Sequence, residues 1–243
     1  MTAQGARPSD AQVVTTVIAA YNEAATLEDV IRRVASLDVS SELIVVDDGS
    51  GDETPAILSS LEASGEVPGL RVLRHDRNRG KGAALRTGFA ASTGDVVVVQ
   101  DADLEYDPRD LPRLLQPILE GHADVVYGTR LRGGQPQRAH FFWHYAGTRF
   151  LSLLTNVLYN TTISDMEVGF KAFRGDLIRS IDLVSDGFDI EPEMTAKILR
   201  DGSVRLYEIP ISYFGRTYEE GKKITWRDGL VAVWTLLRFR VGS

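Results

Sequence analysis

Three carboxylates crowd the stretch Asp101-Ala102-Asp103-Leu104-Glu105, which follows the apolar run Val96-Val97-Val98-Val99. If the chain stays extended there, the two-residue period of a strand puts Asp101, Asp103 and Glu105 on one side. Like charges at that spacing repel unless a cation neutralises them. Hard oxygen ligands suit magnesium or manganese, and magnesium usually takes only one or two carboxylates while substrate phosphates and water supply the rest. An isolated Asp-x-Asp is more often a solvated acidic turn. The apolar strand before this one, and the acids that close other strands, tip the reading toward a cation.

The elements that must position these acids alternate regularly. A β-branched run at 13–20 ends at Tyr21-Asn22-Glu23, after which Thr26 is suited to cap a helix to about residue 37. A second buried strand, 42–46, stops at Asp47-Asp48-Gly49-Ser50, and a helix with Pro55 near its first turn follows. A third strand at 70–74 leads through a loop at 76–82 into a helix at 83–92, and the fourth strand is 96–100. This order indicates βαβ units with right-handed crossovers and a mostly parallel sheet flanked by helices. Ligands in such sheets bind beyond the carboxyl ends of the strands. Three of the four strand ends carry acids: Glu23, then Asp47 and Asp48, then Asp101, Asp103 and Glu105. One rim of the sheet is thus a candidate site.

The second half is less regular. Helices are expected at 111–120, 145–159 and 192–200, strands at 124–127 and 204–209, and an open loop at 128–135. With no repeat and no clear linker, the expectation is a single α/β domain over 13–225, with 1–12 a disordered tail and 226–243 a C-terminal amphipathic helix.

Composition narrows the function classes. The 243 residues are 43% hydrophobic and 25% charged, as in an ordinary globular protein. A net charge of -7 argues against wide, non-specific nucleic-acid binding, which needs clustered Lys and Arg. The absence of cysteine excludes disulfides, a thiol nucleophile and thiolate zinc sites. His75, His122, His140 and His144 show no metal-ligand spacing. The first twelve residues lack the apolar core of a signal peptide, and no run of about 18 apolar residues is present, so the active part is expected to face the cytoplasm. No Gly-x-Gly-x-x-Gly follows the first strand, which disfavours a Rossmann dehydrogenase.

Ala20-Tyr21-Asn22-Glu23, Val45-Val46-Asp47-Asp48-Gly49-Ser50-Gly51-Asp52, Asn78-Arg79-Gly80-Lys81-Gly82-Ala83-Ala84 and Asp101-Ala102-Asp103-Leu104-Glu105 stand in the order and spacing of family-two glycosyltransferases of the GT-A fold. Each motif alone is weak, but four in register are specific. Over about residues 13–225 the chain most resembles dolichol-phosphate mannosyltransferases and bacterial polyprenyl-phosphate hexosyltransferases. The resemblance implies a GT-A-type, Rossmann-like domain in which Ala20, Tyr21, Glu23, Asp48, Lys81, Asp101, Ala102 and Asp103 contact a nucleotide sugar. Tyr21 and Glu23 would lie by the nucleoside and Asp48 by the base or ribose. Asp101 and Asp103 would hold a Mg2+ or Mn2+ ion that bridges the diphosphate. Glu105, where relatives often carry Gln, would be a third metal ligand, and Lys81 and Arg79 would lie near the diphosphate or shape its loop.

Departure of the nucleoside diphosphate builds negative charge on phosphate oxygens, which a metal at Asp101 and Asp103 would stabilise. A hydroxyl acceptor would need a positioned carboxylate as base. A phosphate monoester, with a second pKa of about 6, would not. It needs cations instead, and the lipid-phosphate transferases that the chain resembles gather arginines from comparable segments. Arg130 in Gly128-Thr129-Arg130, Arg149 in Gly147-Thr148-Arg149 and Arg216 in Gly215-Arg216-Thr217 are therefore the candidate acceptor-phosphate ligands. Asp165 opens a segment resembling the family's Asp-x-x-x-Gly-Phe motif and is the candidate base for a hydroxyl acceptor. Lys222 and Lys223 are candidates for a loop that closes on the diphosphate. Glu191 and Glu193, at a helix start, are read as structural.

The implied reaction is transfer of a hexose, mannose from GDP-mannose, to dolichyl or polyprenyl phosphate with inversion at the anomeric carbon. UDP-glucose as donor, a saccharide hydroxyl as acceptor, and a nucleotide-sugar-binding membrane scaffold without turnover are the alternatives. A polyprenyl acceptor requires a membrane surface. The apolar stretch 230–240, with Trp234 and two terminal arginines, suits either an interfacial helix or one packed on the core. Relatives sometimes continue into transmembrane helices whereas this chain ends first, a departure that leaves open a purely peripheral enzyme on the cytoplasmic face or a separate membrane-protein partner.

Overall fold

The computed structural model describes residues 12–37, 39, 41–138, 141–215 and 226–242. All but the last residue of the expected tail lies outside the described residues, as do His140, Arg216, Lys222 and Lys223. A seven-stranded sheet forms the centre, in the order β3-β2-β1-β4-β6-β5-β7. In chain order the strands are β1 (Val14–Ala20), β2 (Glu42–Asp47), β3 (Leu70–Arg74), β4 (Val96–Asp101), β5 (Val125–Thr129), β6 (Lys171–Arg174) and β7 (Leu206–Pro210). The helices are α1 (Leu27–Ala35), α2 (Thr54–Ser64), α3 (Lys81–Ala91), α4 (Leu111–Leu119), α5 (Phe142–Tyr159), α6 (Gly175–Ser180), α7 (Ile190–Arg200) and α8 (Trp226–Val241). Among the described residues no helix is long and apolar enough to cross a membrane.

The first four strands are parallel and their register explains the acidic rim. Ala20 of β1 pairs with Asp47 of β2, and Ala19 pairs with Asp101 of β4, so the acids of both neighbours end level with the end of β1. Strands β1, β2 and β4 are buried on both faces, whereas β3, at the sheet edge, carries two exposed arginines. Leu43 and Val45 belong to the main core, whereas Ile44 and Val46 pack with Ala84 of α3 on the other face.

The second half departs from the expected pattern at β6, which pairs antiparallel with both β4 and β5. Its sequence, Lys-Ala-Phe-Arg, is short and begins with a lysine, which hides the strand, yet Lys171 is fully buried. Helix α6 was likewise not expected. Helices α3, α5 and α7 each begin two or three residues earlier than the sequence suggests. Thr26 precedes α1 but makes no capping hydrogen bond; its hydroxyl donates to the Ala102 carbonyl at 3.0 Å, tying α1 to the acidic stretch. Helix α8 packs on the body of the protein, with Ala232, Leu236 and Phe239 buried against Leu151 and Tyr159 of α5 and Ala196 of α7. The Tyr159 hydroxyl donates to the Leu236 carbonyl at 2.7 Å.

Candidate active site

A cavity of about 300 Å3 opens beyond the carboxyl ends of β1, β2 and β4. Its wall includes Ala20, Tyr21 and Glu23 from the end of β1, Asp48 from the end of β2, Lys81 from α3, and Asp101, Ala102, Asp103 and Glu105 from the end of β4. The level strand ends are what bring these separate segments together.

Asp48 is buried, and its carboxylate is occupied by the loop before α3. One oxygen accepts from the Arg79 amide at 3.0 Å and meets His75 Nδ1 at 2.6 Å, and the other accepts from the Gly80 amide at 2.7 Å. The His75 Nε2 is 2.9 Å from the Thr87 hydroxyl, so the ring bridges β2 and α3. Gly80 has φ +103° and stands so close to the Asp186 carbonyl that a side chain would overlap it. These restraints set the position of Lys81, the next residue.

Lys81 Nζ donates to Asp101 Oδ1 at 2.8 Å and lies 3.4 Å from Glu191 Oε1. Burial opposes the ammonium, but Asp101, Glu191 and Asp103 together hold its pKa above the usual lysine range. Glu191 in turn is bonded through Oε2 to the buried Lys171, whose ammonium also donates to the Met166 and Val168 carbonyls. Acid and cation thus alternate from Asp101 inward. Gly169 lies against Asp101, and a Cβ there would stand 2.4 Å from Oδ2, so a side chain would displace the carboxylate.

Arg130 follows β5 directly and reaches the cavity wall, close against Tyr213, its guanidinium 5.1 Å from the ring centre. It donates from Nε and Nη2 to the two oxygens of Asp165, each at 2.7 Å, while the Arg130 amide donates to Asp165 Oδ2 at 3.0 Å. Both side chains are buried. Burial alone would raise the Asp165 pKa, but Arg130 overrides it and holds the carboxyl below the usual range. Asp165 is not on the cavity wall, and its oxygens serve Arg130. Arg149 lies on the exposed side of α5, away from the wall.

Several wall residues escaped the sequence reading. Tyr213 donates its hydroxyl to Glu105 Oε2 at 3.1 Å, and its ring packs on Tyr106, which stacks on Phe170. Glu167 lines the cavity; burial raises its pKa to about 7 against the opposing charge of Lys171. Glu191, read as structural, is also on the wall, whereas Glu193 does hold structure: it accepts from the Val184 and Ser185 amides at 2.9 and 2.7 Å. His144 of α5 and Asp228 and Ala232 of α8 complete the far side. Glu167 had a sequence signal in its place two residues after Asp165 in the Asp-x-x-x-Gly-Phe segment; Tyr213 and Asp228 had none.

Among the described residues no three His, Cys, Asp or Glu side chains converge into a metal cage. The donors nevertheless suit Mg2+ or Mn2+, which takes one or two carboxylates and fills its shell with phosphate oxygens and water. Asp101 and Asp103 are hard-oxygen donors on one wall, and the ammonium already drawn to Asp101 shows the demand for a cation there.

A family model described as glycosyl transferase family 2 matches residues 15–181. The chain is 33% identical to an undecaprenyl-phosphate mannosyltransferase of Micrococcus luteus, over 94% of this chain and 99% of that protein. It is 30% identical to a dolichol-phosphate mannosyltransferase of Pyrococcus furiosus over 86% of this chain, but spans only 58% of that longer relative. Among solved structures, glucosyl-3-phosphoglycerate synthase from Mycobacterium tuberculosis in complex with Mn2+, uridine diphosphate and phosphoglyceric acid superposes with a TM-score of 0.72 at 25% identity, covering 96% of this chain and 80% of that one. The mostly parallel sheet, the rim of strand-end acids and these matches agree: the chain is a glycosyltransferase and belongs to glycosyl transferase family 2.

Proposed function

We propose that this glycosyltransferase moves a hexose from a nucleotide sugar to polyprenyl phosphate with inversion, and that the pair is GDP-mannose and a dolichyl- or undecaprenyl-type phosphate. The names of the two mannosyltransferase relatives support the sugar and the lipid class. The observation that carries the lipid acceptor is the outer surface of α5 and α8, the helices that close the far side of the cavity. It exposes Phe142, Trp143, Phe150, Leu153 and Val157 on α5 and Leu230, Trp234 and Val241 on α8, with Trp143 82% and Trp234 66% exposed. Aromatic and aliphatic side chains on paired helices beside a reaction cavity suit the interfacial zone of a bilayer. On this reading the chain meets the membrane peripherally, with the cavity mouth toward the lipid headgroups.

In this mechanism Tyr21 and Glu23 bind the nucleoside while Asp48 fixes the loop that presents Lys81. Asp101 and Asp103 would hold the divalent ion, with Glu105 beside them. That ion supplies Lewis-acid stabilisation of the departing diphosphate. Arg130, aimed by Asp165 and steadied on Tyr213, offers positive charge to the acceptor phosphate; Arg149 and Arg216 remain candidates to join it. A dianionic phosphate attacks without a general base. The engagement of Asp165 with Arg130 favours this acceptor over a hydroxyl.

A second reading keeps UDP-glucose as donor, because the solved relative also appears with UDP-glucose and Mn2+. A hydroxyl acceptor would draw on Glu167, whose pKa of about 7 suits a base. The deciding experiment is Mn2+-dependent release of nucleoside diphosphate from a panel of nucleotide sugars, with and without a short polyprenyl phosphate. Lipid-stimulated release from GDP-mannose, lost in Asp103→Asn, supports the proposal. Release only with saccharide acceptors overturns it.

A further inference from the structure

Lys81 stands between two carboxylates, ion-paired with both and hydrogen-bonded to one. Its ammonium is hydrogen-bonded to Asp101 Oδ1 at 2.8 Å and lies 3.4 Å from Glu191 Oε1. That second oxygen is buried and accepts no hydrogen bond among the described residues. The other oxygen of Glu191 is bonded to Lys171, and that fully buried ammonium is anchored to the Met166 and Val168 carbonyls as well. Glu191 therefore presents an oxygen that is within ion-pair reach of Lys81 but holds no hydrogen bond, while the ammonium's hydrogen bond goes to Asp101. Lys81 is the mobile member: it begins α3, its side chain is 19% exposed, and four rotatable carbons carry its charge.

A divalent cation at Asp101 and the Lys81 ammonium compete for the same carboxylate, and two cations so close repel. We propose that Lys81 is a displaceable counter-ion: it neutralises Asp101 until a divalent cation binds there, then transfers to Glu191 Oε1, which the bond to Lys171 holds ready. Glu191 is thus a positioning residue for the metal site, acting through Lys81. The arrangement keeps the acidic rim balanced in both states, and it weakens binding of a bare metal ion, which must displace an ammonium first. The proposal rests on the reading that Asp101 is a metal ligand.

The test is Mn2+ titration of the whole chain, followed by the paramagnetic resonance signal of the free ion, with no nucleotide sugar turning over. Lys81→Met removes the competing charge and keeps the apolar stem, so it should bind Mn2+ about tenfold more tightly, the scale of one close charge contact at a partly solvated site. Glu191→Gln should weaken Mn2+ binding when Lys81 is present and have little effect in the Lys81→Met background, because its influence passes through Lys81. If melting curves show that Glu191→Gln is unfolded, the paired change Lys171→Met with Glu191→Gln removes the buried charges as a unit and replaces it. Unchanged or weaker Mn2+ binding by Lys81→Met overturns the counter-ion role, and an equal effect of Glu191→Gln in both backgrounds overturns the transfer. No Mn2+ binding by any variant, with or without GDP or UDP, sinks the reading of Asp101 as a ligand and the switch with it.

Discussion

Strands β3, β2, β1 and β4 run parallel, and the last three deliver acids to one rim, whereas β6, β5 and β7 mix directions and deliver side chains that are mostly committed to one another. In the first region Asp101 and Asp103 reach the cavity with oxygens suited to a ligand. In the second, Arg130 spends its guanidinium on Asp165, and Lys171 spends its ammonium on Glu191 and two carbonyls. The contrast teaches that a strand-end rim follows from register alone, while the opposite wall must be held in place by buried ion pairs. Such pairs add little net stability but are costly to break one partner at a time.

The largest expected effect lies in the second region. Asp165→Asn leaves the Arg130 charge buried without its partner and should cost about 3–5 kcal/mol in urea unfolding. Should that variant keep its stability and lose only activity, Asp165 is a catalytic group and the contrast between the two walls breaks. In the first region Asp103→Asn should leave urea stability nearly unchanged and lower kcat about a hundredfold or more, the scale for removing one electrostatic stabiliser of a transition state. Equal losses of stability and turnover there would show that the rim, too, is structural.

Glu167 sharpens the comparison through pH. Its carboxyl moves from 4.5 in the unfolded chain to about 7 in the folded one, with burial as the main cause. The folded state thus holds the proton more tightly, so this group's stability is complete below about pH 4.5 and fades as pH rises through 7. Glu167→Gln should remove roughly 1–3 kcal/mol of that decline, read as a flatter melting temperature between pH 5 and pH 7.5. An unchanged pH profile would place Glu167 in solvent. The smallest effect belongs to the outer faces of α5 and α8. Trp143→Ser and Trp234→Ser should alter stability by less than about 0.5 kcal/mol. Each should weaken sedimentation with phospholipid vesicles several-fold while Mn2+-nucleotide affinity stays constant. Unaltered vesicle binding in the double variant would remove the membrane from the account of this surface.

Much of the parallel half was legible in the sequence because a doubly covered strand is a plain apolar run, and its end is marked by the first acid. Ala20 to Glu23, Asp47 and Asp48, and Asp101 to Glu105 were all placed at strand ends on that ground. The roles of individual side chains were less legible. Asp48, on the cavity wall, also braces the Arg79 and Gly80 amides and His75, bonds to a loop about thirty residues away that no local pattern announces. Glu191 looked like a helix-start carboxylate and became part of the cavity wall once α7 was laid beside α3. Strand β6 was hidden because a buried lysine reads as a loop residue until its three partners are seen.

The sequence by itself determined the alternation of strand and helix and the order of the acidic strand ends, because those rest on local residue type and periodicity; the resemblance to the family rested on four motifs in register. Only the tertiary structure decided which charges face the cavity and which cancel each other. Pairing of Arg130 with Asp165, and of Lys171 with Glu191, joins segments 35 and 20 residues apart, and low-dielectric burial makes each choice of partner energetically large.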